Sequence, residues 1–203
     1  AQTEGYYLTS PDQETRQRTS QYFGELAKLC RDLNGKILVL GSPVQRNLLP
    51  GVSHDQAMEF AADVIRGALP ALEEYGVTLA LEPLGPAEGD FMLTADSAIE
   101  LAKTIDSAQV RLHLDVKAMS SEAKSIPDII RDSKEYLVHF HANDPNKRGP
   151  GMGDTDFVPI LQTLKDIQYD GWVSVEVFDY EPGIESLTRD SIQYMQKCLE
   201  QVG

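Results

Sequence analysis

The sequence predicts an α/β protein built on a parallel sheet, and three observations carry that prediction. Five short runs rich in aliphatic and β-branched residues are each bounded by Gly, Pro, Asn or Asp. Amphipathic helical stretches separate these runs one by one. No tandem hairpin signal interrupts the alternation, so the strands are joined by helical crossovers rather than tight turns.

The elements follow in order. "SPDQ" (10–13) reads as an N-cap, a first-turn proline and a capping-box glutamine. The helix it opens would bury Tyr22, Phe23, Leu26 and Leu29. "KILVLGS" (36–42) is the first strand. "SHDQ" (53–56) repeats the capping box and starts a helix that runs to Tyr75, where Gly76 stops it. "VTLALEP" (77–83), "VRLHLDV" (110–116), "LVHFHAN" (137–143) and "WVSVEVF" (172–178) are the remaining strands. Thr94, Ser125 and Asp156 are N-caps of three shorter helices, and a last helix covers about 186–201. With no Gly/Ser linker and no low-complexity tract, the chain reads as one domain, 1–203. Five βα units suffice for an open sheet, whereas a closed eight-stranded barrel needs about 250 residues.

Composition narrows the function. With 203 residues, 41% of them hydrophobic, a large core is available. A formal net charge of −14 repels phosphate backbones and anionic membranes, and "NKR" (146–148) is the longest basic run, so neither nucleic acid nor membrane is an expected partner. No apolar run reaches the ~18 residues of a membrane span. Cys30 and Cys198 are too few and too far apart for a disulfide framework; they would pair only if the termini meet, and otherwise read as reduced thiols of a cytoplasmic protein. The chain begins "AQTEGYY", without a methionine, as if an earlier stretch preceded it.

The chemistry is at the strand ends. Glu82 in "LALEP", Asp115 in "LHLDV", His141 in "HFHAN" and Glu176 in "VSVEV" close four successive strands, about one βα unit apart. Because side chains alternate, His113 shares a face with Asp115 and His139 with His141, one layer deeper. Three carboxylates buried together without a cation would be prohibitive, since each charge costs several kcal/mol and like charges repel. A divalent ion resolves the conflict. Its donors, two Glu, one Asp and one His, suit Mn²⁺ or Mg²⁺ better than structural zinc; Zn²⁺ or Co²⁺ would also be accommodated. The loops at the same ends carry polar groups: Gln45, Arg46 and Asn47 in "GSPVQRN", Glu88 in "EPLGPAEGDF", and Asp144, Lys147 and Arg148 in "HANDPNKRGPGMGDTDF".

Together "LALEP", "LHLDVKAM", "HFHANDPNKRGPGMGDTDF" and "GWVSVEVF" resemble the sugar phosphate isomerase/epimerase family, whose fold is the xylose isomerase-like TIM barrel. The resemblance implies a (β/α)8 barrel of which this chain is roughly the C-terminal five βα units. "KILVLGS" would then be strand four, "AQTEG" the tail of strand three, and roughly 70 to 80 residues would precede. It implies Glu82, Asp115, His141 and Glu176 as metal ligands on strands five to eight, with Glu82 and Glu176 as the catalytic acid/base pair. The implied reaction is isomerisation or epimerisation of a small sugar or polyol, by proton abstraction beside a carbonyl through a metal-stabilised enediolate. Glu88, Lys147, Arg148, Arg46, Asn47 and His113 would line the substrate, and a homo-oligomer is compatible with the family. One departure stands out. Many relatives have a histidine three residues after the Asp ligand, where this chain has Ala118, with Lys117 as its neighbour. Two other functions are open on the same residues: a dehydratase of a keto-inositol or sugar, and a noncatalytic carbohydrate-binding barrel. An apurinic endonuclease of the related type would need more histidines and a basic face.

Overall fold

The structure, a computed structural model, describes residues 4–203. It comprises two compact units, Ala1–Leu112 and His113–Gly203, whose boundary falls inside the third strand.

The first unit alternates α1 (Gln13–Asp32), β1 (Ile37–Leu40), α2 (His54–Tyr75), β2 (Thr78–Leu81) and α3 (Ala95–Ile105) before entering β3 (Val110–Asp115). All pairing is parallel. Ile37 to Leu40 match Thr78 to Leu81, and Leu79, Ala80 and Leu81 match Val110, Arg111 and Leu112. Leu79, Ala80 and Leu81 are fully buried, as strands covered on both faces must be. Helix α2 presents Ala57, Ala61, Val64, Ile65, Ala68 and Leu72 to the core at helical spacing. Ser53 and Gln56 form its capping box, and Gly76 ends it in the left-handed conformation (φ 62°), which a residue without Cβ adopts at no cost.

The second unit completes β3 and continues through α4 (Val116–Met119), α5 (Ile126–Ser133), β4 (Leu137–Ala142), α6 (Phe157–Asp166), β5 (Val173–Val175) and α7 (Ile184–Leu199). Its strands lie in the order β3, β4, β5. Phe140, His141 and Ala142 match Val173, Ser174 and Val175 in parallel register. Leu114, Phe140, Ala142, Phe157 and Ile130 form its core.

All five strands and the caps at Thr94, Ser125 and Asp156 fall where the sequence places them. Three local expectations change. Helix α1 is capped by Asp12, whose carboxylate accepts both the N–H and the hydroxyl of Thr15, while the Ser10 hydroxyl accepts the Asp12 N–H. Leu29 is 53% exposed; the buried stripe of α1 is Thr19, Phe23 and Ala27. Helix α4 has no apolar period to announce it, being a single turn nucleated by the Asp115 side chain. Of "AQTEG", residues 1–3 lie outside the described residues, and Glu4 and Gly5 form a turn. Both cysteines are free thiols. Among the described residues no helix is long and apolar enough to cross a membrane.

Candidate metal centre

The second unit gathers its candidate site residues at the C-terminal ends of β3, β4 and β5. Asp115 closes β3, His141 is the penultimate residue of β4, and Glu176 directly follows β5. Its N–H extends the ladder by donating to the Ala142 carbonyl at 3.3 Å. His141 Nδ1 lies 3.1 Å from Glu176 Oε2 and 3.9 Å from Asp115 Oδ2. One imidazole thus stands between two carboxylates.

Neutral donors fix Asp115. Its Oδ1 accepts the Ala118 N–H at 2.9 Å, and its Oδ2 accepts Nδ2 of Asn143 at 2.6 Å. Asn143 is itself fully buried, and its Oδ1 accepts the Lys117 N–H at 2.8 Å. It therefore ties the residue after β4 to the start of α4 and aims the acid between them. Asn143 is absent from the residues expected on sequence grounds, although "HAND" places an amide two residues past His141.

Beneath this rim the alternation of strand side chains stacks imidazoles. The ring centroids of His113 and His141 are 4.1 Å apart, and those of His139 lie 5.2 Å from each. Each of the three offers a ring nitrogen, and these atoms lie within 4.8 Å of one another. His113 is fully buried; burial, reinforced by the charge of His141, drives its pKa down to about 3 against the pull of Asp115 and Glu176. It is a neutral imidazole at physiological pH. For Glu176, burial raises the pKa, but His141, 3.1 Å away, and the charge of Lys117 outweigh it, so the carboxyl sits below its ordinary range. Imidazoles and carboxylates within a few ångströms of one another are the kind of donor set a divalent cation takes. His139 joins this cluster; the "HFH" spacing is the signal that puts it on the ligand face.

The β4–α6 loop, residues 143–156, is organised by Asp144. This buried side chain accepts the N–H groups of Gly153 and Thr155. Lys147 is exposed and left-handed (φ 71°), and its carbonyl accepts the N–H groups of Phe178 (2.8 Å) and Asp179 (3.0 Å). Arg148 Nε donates to Asp179 Oδ2 at 2.7 Å. Lys147 and Arg148 thus stand in a loop bonded to the one that follows Glu176.

In the first unit, Glu82 follows β2 and is 7% exposed. A Cβ on Gly41, at the end of β1, would overlap its Oε2, so only glycine lets the carboxylate lie there. Arg46 is fully buried and donates from Nη1 to the Glu82 carbonyl. Burial lowers its pKa to about 10, and the charges of Glu82 and Glu88 hold it up. Asn47 anchors the same loop, its Oδ1 accepting the Asp90 N–H, while Leu48 N–H donates to Asp90 Oδ1. Glu88 is exposed in the following loop.

The family model described as the xylose isomerase-like TIM barrel matches residues 2–198. The chain is 29% identical over 173 residues to the D-psicose 3-epimerase of Ruminiclostridium cellulolyticum, covering 84% of this chain and 59% of the relative. It is 30% identical over 185 residues to the D-psicose 3-epimerase of Enterocloster bolteae, covering 89% and 61%. The chain therefore spans about three fifths of the length of these curated relatives. Among solved structures, D-psicose 3-epimerase with D-tagatose, from Clostridium cellulolyticum H10, aligns with a TM-score of 0.85 at 25% identity, covering 98% of this chain and 75% of that one. An L-ribulose 3-epimerase structure aligns at 0.87 over 98% and 72%, at 21% identity, a likeness of fold.

Proposed function

As the chain belongs to the xylose isomerase-like TIM-barrel family, we propose that it works as a divalent-metal-dependent epimerase or isomerase of small keto sugars. The observation that carries the reading is the convergence of His141 on Glu176 at 3.1 Å and Asp115 at 3.9 Å. The sugar epimerases among its relatives support the reaction class.

The ion would be held by Asp115, His141 and Glu176, with Glu82 as the fourth ligand, a position it takes from the strand-end pattern of the sequence. Mn²⁺ or Mg²⁺ suits these oxygen-rich donors. When bound, it would stabilise the negative charge that develops as a proton leaves the carbon beside the carbonyl. The protein's own groups do the rest. Glu176, held below its ordinary carboxyl range by His141 beside it, accepts the substrate proton. Glu82 takes the complementary position, delivering a proton to the opposite face for epimerisation. Asn143 and the Ala118 N–H keep Asp115 oriented throughout. His113, neutral and buried, adds no charge to compete with the ion. Lys147, Arg148, Arg46, Asn47 and Glu88 supply polar groups from the strand-end loops toward the sugar.

The test is incubation of the Mn²⁺-loaded protein with a ketose panel in D₂O. Deuterium at the carbon beside the carbonyl, with epimer or isomer as product, is the expected result. A deoxy or unsaturated product would make the protein a lyase. Sugar binding with no deuterium uptake would make it a noncatalytic binding protein.

A further inference from the structure

The glycine-rich run 149–153 is used for close packing against α7. A Cβ on Gly149 would overlap Ser191 Oγ, and one on Gly151 would overlap the Tyr194 ring. The Tyr194 hydroxyl donates to the Thr155 carbonyl at 3.1 Å. From this seat the loop reaches back to the segment that follows Glu176. Its turn is closed by the Asp144 N–H on the Arg148 carbonyl (2.9 Å) and the Lys147 N–H on the Asp144 carbonyl (2.8 Å). The left-handed backbone of Lys147, which a residue with a Cβ holds at a cost, turns its carbonyl to the N–H groups of Phe178 and Asp179. Asp179 adds side-chain ties. Its Oδ2 accepts Arg148 Nε at 2.7 Å, and its Oδ1 accepts the Glu181 N–H at 3.0 Å. The Phe178 ring meets the Lys117 ammonium, with Nζ 5.0 Å from the centroid.

These ties act on Glu176. Strand β5 is three residues long, and Glu176 lies just beyond it, its N–H held by the Ala142 carbonyl through a long bond of 3.3 Å. One long bond at a strand end restrains a side chain weakly. A second anchor, two and three residues further on, supplies the missing restraint. Both anchors, the carbonyls of Ala142 and Lys147, belong to the stretch that carries His141, so they fix Glu176 relative to His141. The Arg148 and Asp179 side chains are 38% and 30% exposed. A pair that open to water contributes little to global stability; it acts on local geometry.

We propose that Asp179 is a positioning residue: paired with Arg148, it holds the Glu176 carboxylate beside His141. The proposal rests on the reading of that centre as the metal site of a keto-sugar enzyme. It is tested first on the full chain without metal. The chain has four histidines, so each imidazole can be assigned in a proton–nitrogen correlation spectrum. Asp179→Ala shifts the ring signals of His141 and leaves those of His54, in the first unit, in place. Arg148→Met, which breaks the same tie from the other loop, shifts them likewise. In a Glu176→Ala background neither variant moves them further. Calorimetry with Mn²⁺ alone then gives about ten-fold weaker binding for either variant, and no additional loss once Glu176 is gone. The proposal is overturned if the His141 signals stay in place in both variants. It is equally overturned if the shifts persist undiminished in the Glu176→Ala background, as a general loss of loop structure would produce. Failure of the metal reading shows separately, as no Mn²⁺ binding by the unaltered protein, and the His141 signals then decide the positioning alone.

Discussion

Glu82 and Asp115 are both acids at the end of a buried strand, 7% and 2% exposed, yet the two units treat them differently. Glu82 shares its surroundings with a buried cation, Arg46, whose charge it stabilises in return. Asp115 is held by an amide N–H and an asparagine and faces imidazoles rather than a guanidinium. The contrast is physical. A carboxylate beside a guanidinium has much of its charge compensated by the protein, whereas one held by neutral dipoles keeps its full attraction for a further cation. The second unit thus holds its acid with neutral dipoles, and the first places its acid within the field of a buried guanidinium.

The sharpest way to break this contrast is Glu176→Gln. Removing the proton acceptor while keeping the size of the side chain should lower turnover about 10²–10⁴-fold, with the thermal midpoint nearly unchanged by circular dichroism. Retained turnover would remove Glu176 from the chemistry and leave it a ligand at most. The next effect is at Asn143→Ala, which strips Asp115 of a buried donor and Lys117 of its anchor. Mn²⁺ affinity should fall about 10–100-fold by calorimetry, with a loss of about 1–3 kcal/mol in urea unfolding. Unfolding loss without any change in affinity would make Asn143 a structural residue alone. In the first unit Gly41→Ala must push Glu82 aside. If Glu82 is a ligand, affinity drops about ten-fold; an unchanged affinity would assign that acid to Arg46 alone.

How much of this could be read from residues alone differs between fold and site. The strands were legible because each is a short aliphatic run with breakers at both ends, and most caps because Ser53, Thr94, Ser125 and Asp156 stand immediately before apolar periods. The ends of α1 and the turn α4 were not, since Ser10 and Asp12 are both competent caps and α4 exists only through the Asp115 side chain. The gathering of Asp115, His141 and Glu176 followed from strand periodicity. Asn143 did not, because an amide past a strand end reads as a turn residue until its two partners are seen. Nor did the reach of Lys117, which is set by side-chain torsions that no spacing encodes.

The deeper layer offers the smallest effect and the cleanest sign. His113 has a folded-state pKa of about 3, against 6.5 for the ordinary side chain, because burial and the charge of His141 disfavour its protonation. In the unfolded chain it takes up a proton near pH 6.5, so between these values the unfolded state binds more protons than the native one. Stability is therefore fully present above about pH 6.5 and is lost as pH falls toward 3, by up to ~1.4 kcal/mol per pH unit from this group alone. Urea unfolding of the metal-free protein at pH 7.0, 6.0 and 5.0 measures the slope. His113→Asn, which cannot titrate there, should flatten it by about one proton's worth even if its absolute stability is lower. A slope identical in both proteins would mean that His113 titrates in the native state as it does in the unfolded chain, and then the layer under the rim would gain a positive charge below about pH 6.5 that opposes a metal ion.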